Sequence, residues 1–189
     1  MKTNLILQVG LMVAALLVSS MSFAQDVGVV AGIRNDNADG KNGIDIQGKT
    51  GFGAGVVAKF EVSGPLQIRT GFLYTQRAYD LTLPGVPASS GELKMTYVEI
   101  PVGVLWKFSD YGGVFAGPAI SLNLSKECPG GSCSGSDVNS SPLAIQFGGS
   151  FKVAPQFGFE VYYETMTSAL AKNVESGRGL VANVMITFD

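Results

Sequence analysis

From Asp26 onward, apolar residues recur at every second position over segments longer than ordinary strands. Val98, Ile100, Val102, Val104, Trp106 and Phe108 share one phase, and Tyr97, Glu99, Pro101, Gly103, Leu105 and Lys107 the other. Successive side chains of a strand point to opposite faces. Such a run therefore commits one whole face to apolar surroundings. The pattern recurs at 26–35, 49–62, 66–79, 94–108, 112–125, 142–153, 156–168 and 179–188, which predicts eight strands. Ordinary globular strands average about 5–6 residues, whereas a tilted strand that crosses a bilayer needs about 9–11. Most of these segments meet the second requirement.

Charge sorts by phase. Arg34, Lys59, Glu61, Arg69, Arg77, Glu99, Lys107, Lys152, Glu160 and Glu164 all share the phase of the small residues, such as Gly51, Gly53 and Gly55. The opposite phase is almost free of charge. An Arg or Lys facing lipid at the midplane costs about 2–4 kcal/mol, so a charge-free face suits a lipid contact. The ten charges then line a lumen. An ion-pair network bracing a narrow barrel is one reading of them, and a small ion pathway lined by Arg69, Arg77, Glu99 and Glu160 is the other. A soluble barrel with the apolar face around a ligand cavity would invert the arrangement. It would leave a face rich in Gly, Ala and Ser, with sparse charges of both signs, to meet water. A crowded lumen fits that face better.

Charged residues make up 15% of the chain, against roughly 25% in soluble proteins. The mean hydropathy of +0.27 is spread evenly rather than gathered into long runs. The exception is the first segment. Lys2, the apolar stretch Leu5 to Val18 and the Ser22-Phe23-Ala24 ending read as a secretory signal, 1–24, cut after Ala24, with a barrel domain over 25–189. No other stretch approaches the ~20 apolar residues of a membrane helix. The expected connections alternate: 36–48, 80–93, 126–141 and 169–178 are long and polar, while 63–65, 109–111 and 154–155 are very short. Barrels of the outer membrane sort their loops this way, with tight turns toward the periplasm. Phe60, Trp106, Phe108, Tyr111, Phe151, Phe157 and Phe188 lie near the short turns, where an interfacial girdle belongs. Phe52, Tyr79 and Met166 are candidates for the opposite girdle.

Several residues also carry a family likeness. The Tyr97-Val98-Glu99-Ile100-Pro101-Val102-Gly103 segment, running to Trp106-Lys107-Phe108, and the Gly117-Pro118 element resemble the outer-membrane β-barrel domain of porin-family and PorT-like proteins. The remaining pattern is similar to that of OmpX-like and OmpA-like barrels. The resemblance implies membrane embedding and carries no catalytic residues over.

Chemistry-bearing motifs are few. The chain has no histidine, so a serine nucleophile lacks its usual base, and no enzyme is expected. Cys128 and Cys133 bracket Pro-Gly-Gly-Ser in the longest expected loop. In an oxidising envelope compartment they are expected to form a disulfide that stiffens the loop tip. Two Cys without His cannot supply the four ligands of structural zinc. The stretch from Asn35 to Asp45 is rich in oxygen ligands around Gly40 but lacks the final glutamate of an EF-hand loop. Asp, Asn and Gly are also the ordinary residues of turns. No cofactor or metal is therefore expected. The net charge of −2 gives no reason to expect nucleic acid.

The sequence predicts an all-β, eight-stranded antiparallel up-and-down transmembrane β-barrel of the bacterial outer membrane. The expected function is non-enzymatic: structural, or surface interaction through extracellular loops. The alternatives are a narrow porin-like channel for ions or small solutes and a soluble lipocalin-like ligand-binding barrel. Expected partners are outer-membrane lipids, the export and barrel-assembly machinery, and an unidentified extracellular ligand. A monomer is expected.

Overall fold

The computed structural model describes residues 26–40, 45–82, 90–127, 139–170 and 174–188. Nine strand segments follow in order: β1 (Asp26–Gly40), β2 (Asp45–Gly48), β3 (Thr50–Ser63), β4 (Leu66–Thr82), β5 (Ser90–Ser109), β6 (Gly112–Glu127), β7 (Leu143–Ala154), β8 (Phe157–Met166) and β9 (Val174–Phe188). Segments β2 and β3 act as one strand. Both pair with β4, and between Phe52↔Gln76 and Gly48↔Tyr79 they carry one more residue than β4 does. This is the signature of a bulge, located around Lys49. Each strand is antiparallel to its neighbour in sequence, and β1 pairs with β9 from Val27↔Phe188 to Gly40↔Val174. The sheet thus closes as an antiparallel barrel of eight strands, which leaves the wall without a free edge inside the membrane.

Short turns join β3 to β4, β5 to β6 and β7 to β8 at one end, where the β1 start and the β9 end also meet. Gly64 occupies the first turn with φ of 54°, a left-handed conformation that glycine adopts without steric cost.

The parity read from sequence matches burial along most of the wall nearer the short turns. Ile33, Phe52, Val102, Val104, Trp106, Phe147, Val184 and Phe188 point outward and are exposed. Val57, Arg69, Leu73, Glu99, Glu160 and Val181 point inward and are buried. An apolar exterior that encircles the molecule is the surface that lipid covers and water does not. Trp106, Phe108, Tyr111, Phe157 and Phe188 stand exposed near the short turns.

Two expectations are corrected here. Tyr79 and Met166 cannot belong to an outer aromatic girdle, because both face inward, at 0% and 6% exposure. Phe52 does face outward, and Tyr74 lies beside it with ring centroids 6.3 Å apart. The strand boundaries also move. β1 runs on to Gly40, β4 to Thr82, and β5 begins at Ser90. These extensions lie in stretches expected to be polar loops. Backbone pairing continues there without an apolar exterior, so the alternation of hydrophobicity no longer marks it.

In the extended region the polarity reverses. Asn35, Asn37, Asp39 and Glu92 face outward, and Lys49 pairs with Asp80 at 3.0 Å. Inside, Ala38, Ile46, Tyr79, Leu93, Met95, Tyr97, Met166 and Leu170 form an apolar cluster. The barrel is thus apolar outside and charged inside along one part. Beyond it, the wall is polar outside and apolar inside, as in a soluble protein.

Candidate functional site

The lumen holds two layers of charge. The upper layer gathers Arg34 and Asp36 from β1, Arg77 from β4, Glu99 from β5 and Glu164 from β8, each at most 1% exposed. Arg34 donates to Asp36 through Nε (2.8 Å to Oδ2) and NH2 (2.9 Å to Oδ1). Its NH1 reaches Glu99 Oε1 at 3.1 Å, and NH2 also reaches Glu164 Oε1 at 2.8 Å. Arg77 NH2 donates to Glu99 Oε1 and, at 2.7 Å, to Glu164 Oε1. Neutral donors add to the layer, Thr75 Oγ1 to Glu99 Oε1 at 2.8 Å and Gln146 Nε2 to Glu164 Oε2 at 2.7 Å, while Arg77 Nε and Glu99 Oε2 have no partner among the described residues.

The lower layer is a bidentate pair. Arg69 donates through Nε to Glu160 Oε1 at 3.1 Å and through NH2 to Oε2. The Arg69 guanidinium also sits 4.4 Å from the Phe115 ring centroid, close enough for a cation–π contact. Lys59 Nζ donates to Ser150 Oγ at 2.9 Å and lies 3.8 Å from Glu160.

Strand geometry separates the layers. Glu160 and Glu164 share a face four residues apart, about 13 Å along the strand at ~3.3 Å per residue. Tyr162 lies between them on the same face and packs edge-on against Phe115, 5.8 Å between centroids. Two apolar groups, Val30–Val57–Leu73–Met185 and Leu105–Phe115–Tyr162–Val181, fill the lumen alongside. An eight-stranded barrel has an interior about as wide as its own side chains fill. Here they fill it with salt bridges braced by hydrocarbon.

Of the ten charges picked from sequence, Arg34, Arg69, Arg77, Glu99, Glu160 and Glu164 are fully buried in these layers, and Lys59 is 7% exposed at their lower edge. Lys107 and Lys152 are half-buried at the short-turn rim. Glu61 is a correction: it has the inward phase but stands exposed past the end of the packed lumen. Parity tells which face a residue takes, and not whether the barrel still encloses it there. Asp36 was missed as a lumen residue because it opened an expected loop, although it is in phase with Arg34. Gln146 and Ser150 have the inward phase in sequence, as does Thr75, but nothing in the sequence marks a neutral inward residue as a partner of the charges.

The remaining motifs lie apart. Cys128 and Cys133 fall outside the described residues, as does the 1–24 segment. In the oxygen-rich stretch, Asp36 is taken by Arg34 and Asp39 by Arg178 at 3.0 Å. Among the described residues, no group of three or more His, Cys, Asp or Glu is placed to hold a metal.

A closed antiparallel wall, apolar toward the outside and ion-paired within, defines a transmembrane β-barrel. Residues 8–165 match the family of outer membrane protein beta-barrel domains, and the chain belongs to that family. The match stops before β9, the strand that closes the barrel against β1.

Solved structures share the fold. Neisserial surface protein A is 17% identical, with a TM-score of 0.52, covering 86% of this chain and 97% of that one. Ail, the attachment invasion locus protein of Yersinia pestis, solved with the heparin analogue sucrose octasulfate, is 14% identical with a TM-score of 0.50, covering 86% and 98%. A de novo designed transmembrane β-barrel is 12% identical with a TM-score of 0.50, covering 87% and 97%. No curated protein matches the chain.

Proposed function

We propose that this protein is a non-enzymatic outer-membrane barrel with a structural or surface-interaction role, exercised through the connections at the end opposite the short turns. The observation that carries this reading is the lumen, where Arg34, Arg69, Arg77, Glu99, Glu160 and Glu164 are each at most 1% exposed and bonded across the barrel. A packed interior supports a scaffold more than a conduit. The polar extension beyond the lipid belt would raise the loops above the membrane on a rigid wall, a common setting for recognition.

In this reading the leader 1–24 is removed during export, assembly machinery inserts the barrel as a monomer, and the short turns face the periplasm. Surface partners would be read by the loops, and outer-membrane lipids would cover the apolar belt.

Planar-bilayer recording of the purified protein tests the proposal. The expected result is a quiet membrane. Reproducible single-channel steps would overturn it in favour of a narrow channel through the charged lumen.

A further inference from the structure

The lower charge layer is unbalanced. Glu160 is engaged at both oxygens by Arg69, which leaves Lys59 with hydrogen bonds to Ser150 Oγ and, at 3.9 Å, Met185 Sδ, and a carboxylate no nearer than 3.8 Å. Directly at this place a cavity of about 50 Å³ is lined by Lys59, Lys107, Lys152, Gln67, Ser150 and Thr187. The Lys107 ammonium makes no hydrogen bond or ion pair with another described residue, and Lys152 forms an ion pair with Asp26 at 3.8 Å. Gln67 is 2% exposed, and its amide oxygen has no partner among the described residues. The acids that line the cavity are Asp26 and Asp110, the latter in an exposed turn. Three lysines and one buried amide thus line a space edged by two carboxylates, one of which, Asp26, is paired with Lys152.

We propose that this short-turn mouth binds one small oxyanion, a carboxylate or a phosphate group, from the compartment that the short turns face. The volume suits such a group, since a single water needs about 10–15 Å³ of the same measure. Lysines act as rotatable point charges that adapt to either anion. The Gln67 amide, turned with its NH2 toward the cavity, supplies a neutral donor, and the O and N assignment of an amide follows its partners. The weakly polar side chains of Leu105 and Met185 in the lining lower the local polarity and strengthen the attraction. A bound monoanion would also offset the unbalanced charge of Lys59.

Isothermal titration of the barrel in phospholipid nanodiscs tests this, with inorganic phosphate in one arm and N-acetylalanine in the other, chloride holding ionic strength constant. Saturable one-site binding is expected in at least one arm, and the arm that saturates identifies the source of the anion. Lys107→Gln and Lys152→Gln, both at the rim and outside the packed lumen, are expected to weaken it by about tenfold each. Lys94→Gln, near the opposite end, is expected to leave it unchanged. Failure to saturate with either anion overturns the proposal. So does an equal loss in Lys94→Gln, which would mark general surface charge.

Discussion

The Arg69–Glu160 pair gives the sharpest test of the packed lumen. Glu160→Gln keeps the size of the side chain and removes its charge. Arg69 would then face a neutral amide where it had two charge-assisted hydrogen bonds, with both residues at most 1% exposed. Each such bond is worth about 1.5–3 kcal/mol, and orphaning a buried charge costs about 3–5 kcal/mol. The second figure is the better guide, since Lys59 also loses its nearest carboxylate. Arg69→Met, which keeps a long apolar chain against Phe115, should cost a similar amount by stranding Glu160. The double variant removes both charges, so its cost should fall below the summed single costs by about 2 kcal/mol or more. Urea unfolding from lipid vesicles measures all three. The single tryptophan, Trp106, faces lipid at 52% exposure and reports departure from the membrane by fluorescence. Single costs below about 1 kcal/mol that simply add would refute the reasoning. They would mean that water, and not protein, solvates the lumen charges.

Val104→Arg, on the lipid face, should cost about 2–4 kcal/mol, whereas Asn37→Arg, on the polar extension, should cost at most about 1 kcal/mol; the folded fraction in vesicles compares them. Gly64→Ala should destabilise by about 1–2 kcal/mol, because the backbone there is left-handed while no atom lies within 4 Å of the new methyl. A shift in urea midpoint without a change in slope checks that assignment. Tyr79→Ala should cost about 3–5 kcal/mol, since the ring is fully buried in the apolar cluster of the extension. Thermal unfolding reads that loss, and no change would mean the extension is not packed.

The lipid face and the lumen face were legible in the chain because side-chain alternation is a local property of an extended backbone. Val102, Val104 and Trp106 had to share one side of β5, and Glu99 the other, before any partner was known. The number of strands crossing the wall and the end at which they turn tightly followed from the same pattern. Enclosure was not legible. Glu61 and Lys59 have the same phase on β3, yet one is exposed and the other buried, because the packed lumen ends between them. The continuation of β1 past Asp36 was hidden because a strand above the lipid belt needs no apolar exterior. Pairing across the lumen was hidden most deeply. Arg34 reaches Glu99 and Glu164, which lie 65 and 130 residues away in sequence. Those contacts depend on the tilt and stagger with which eight strands close, a property of the whole barrel. Local alternation set the polarity of each face, whereas closure of the barrel chose which charges meet inside.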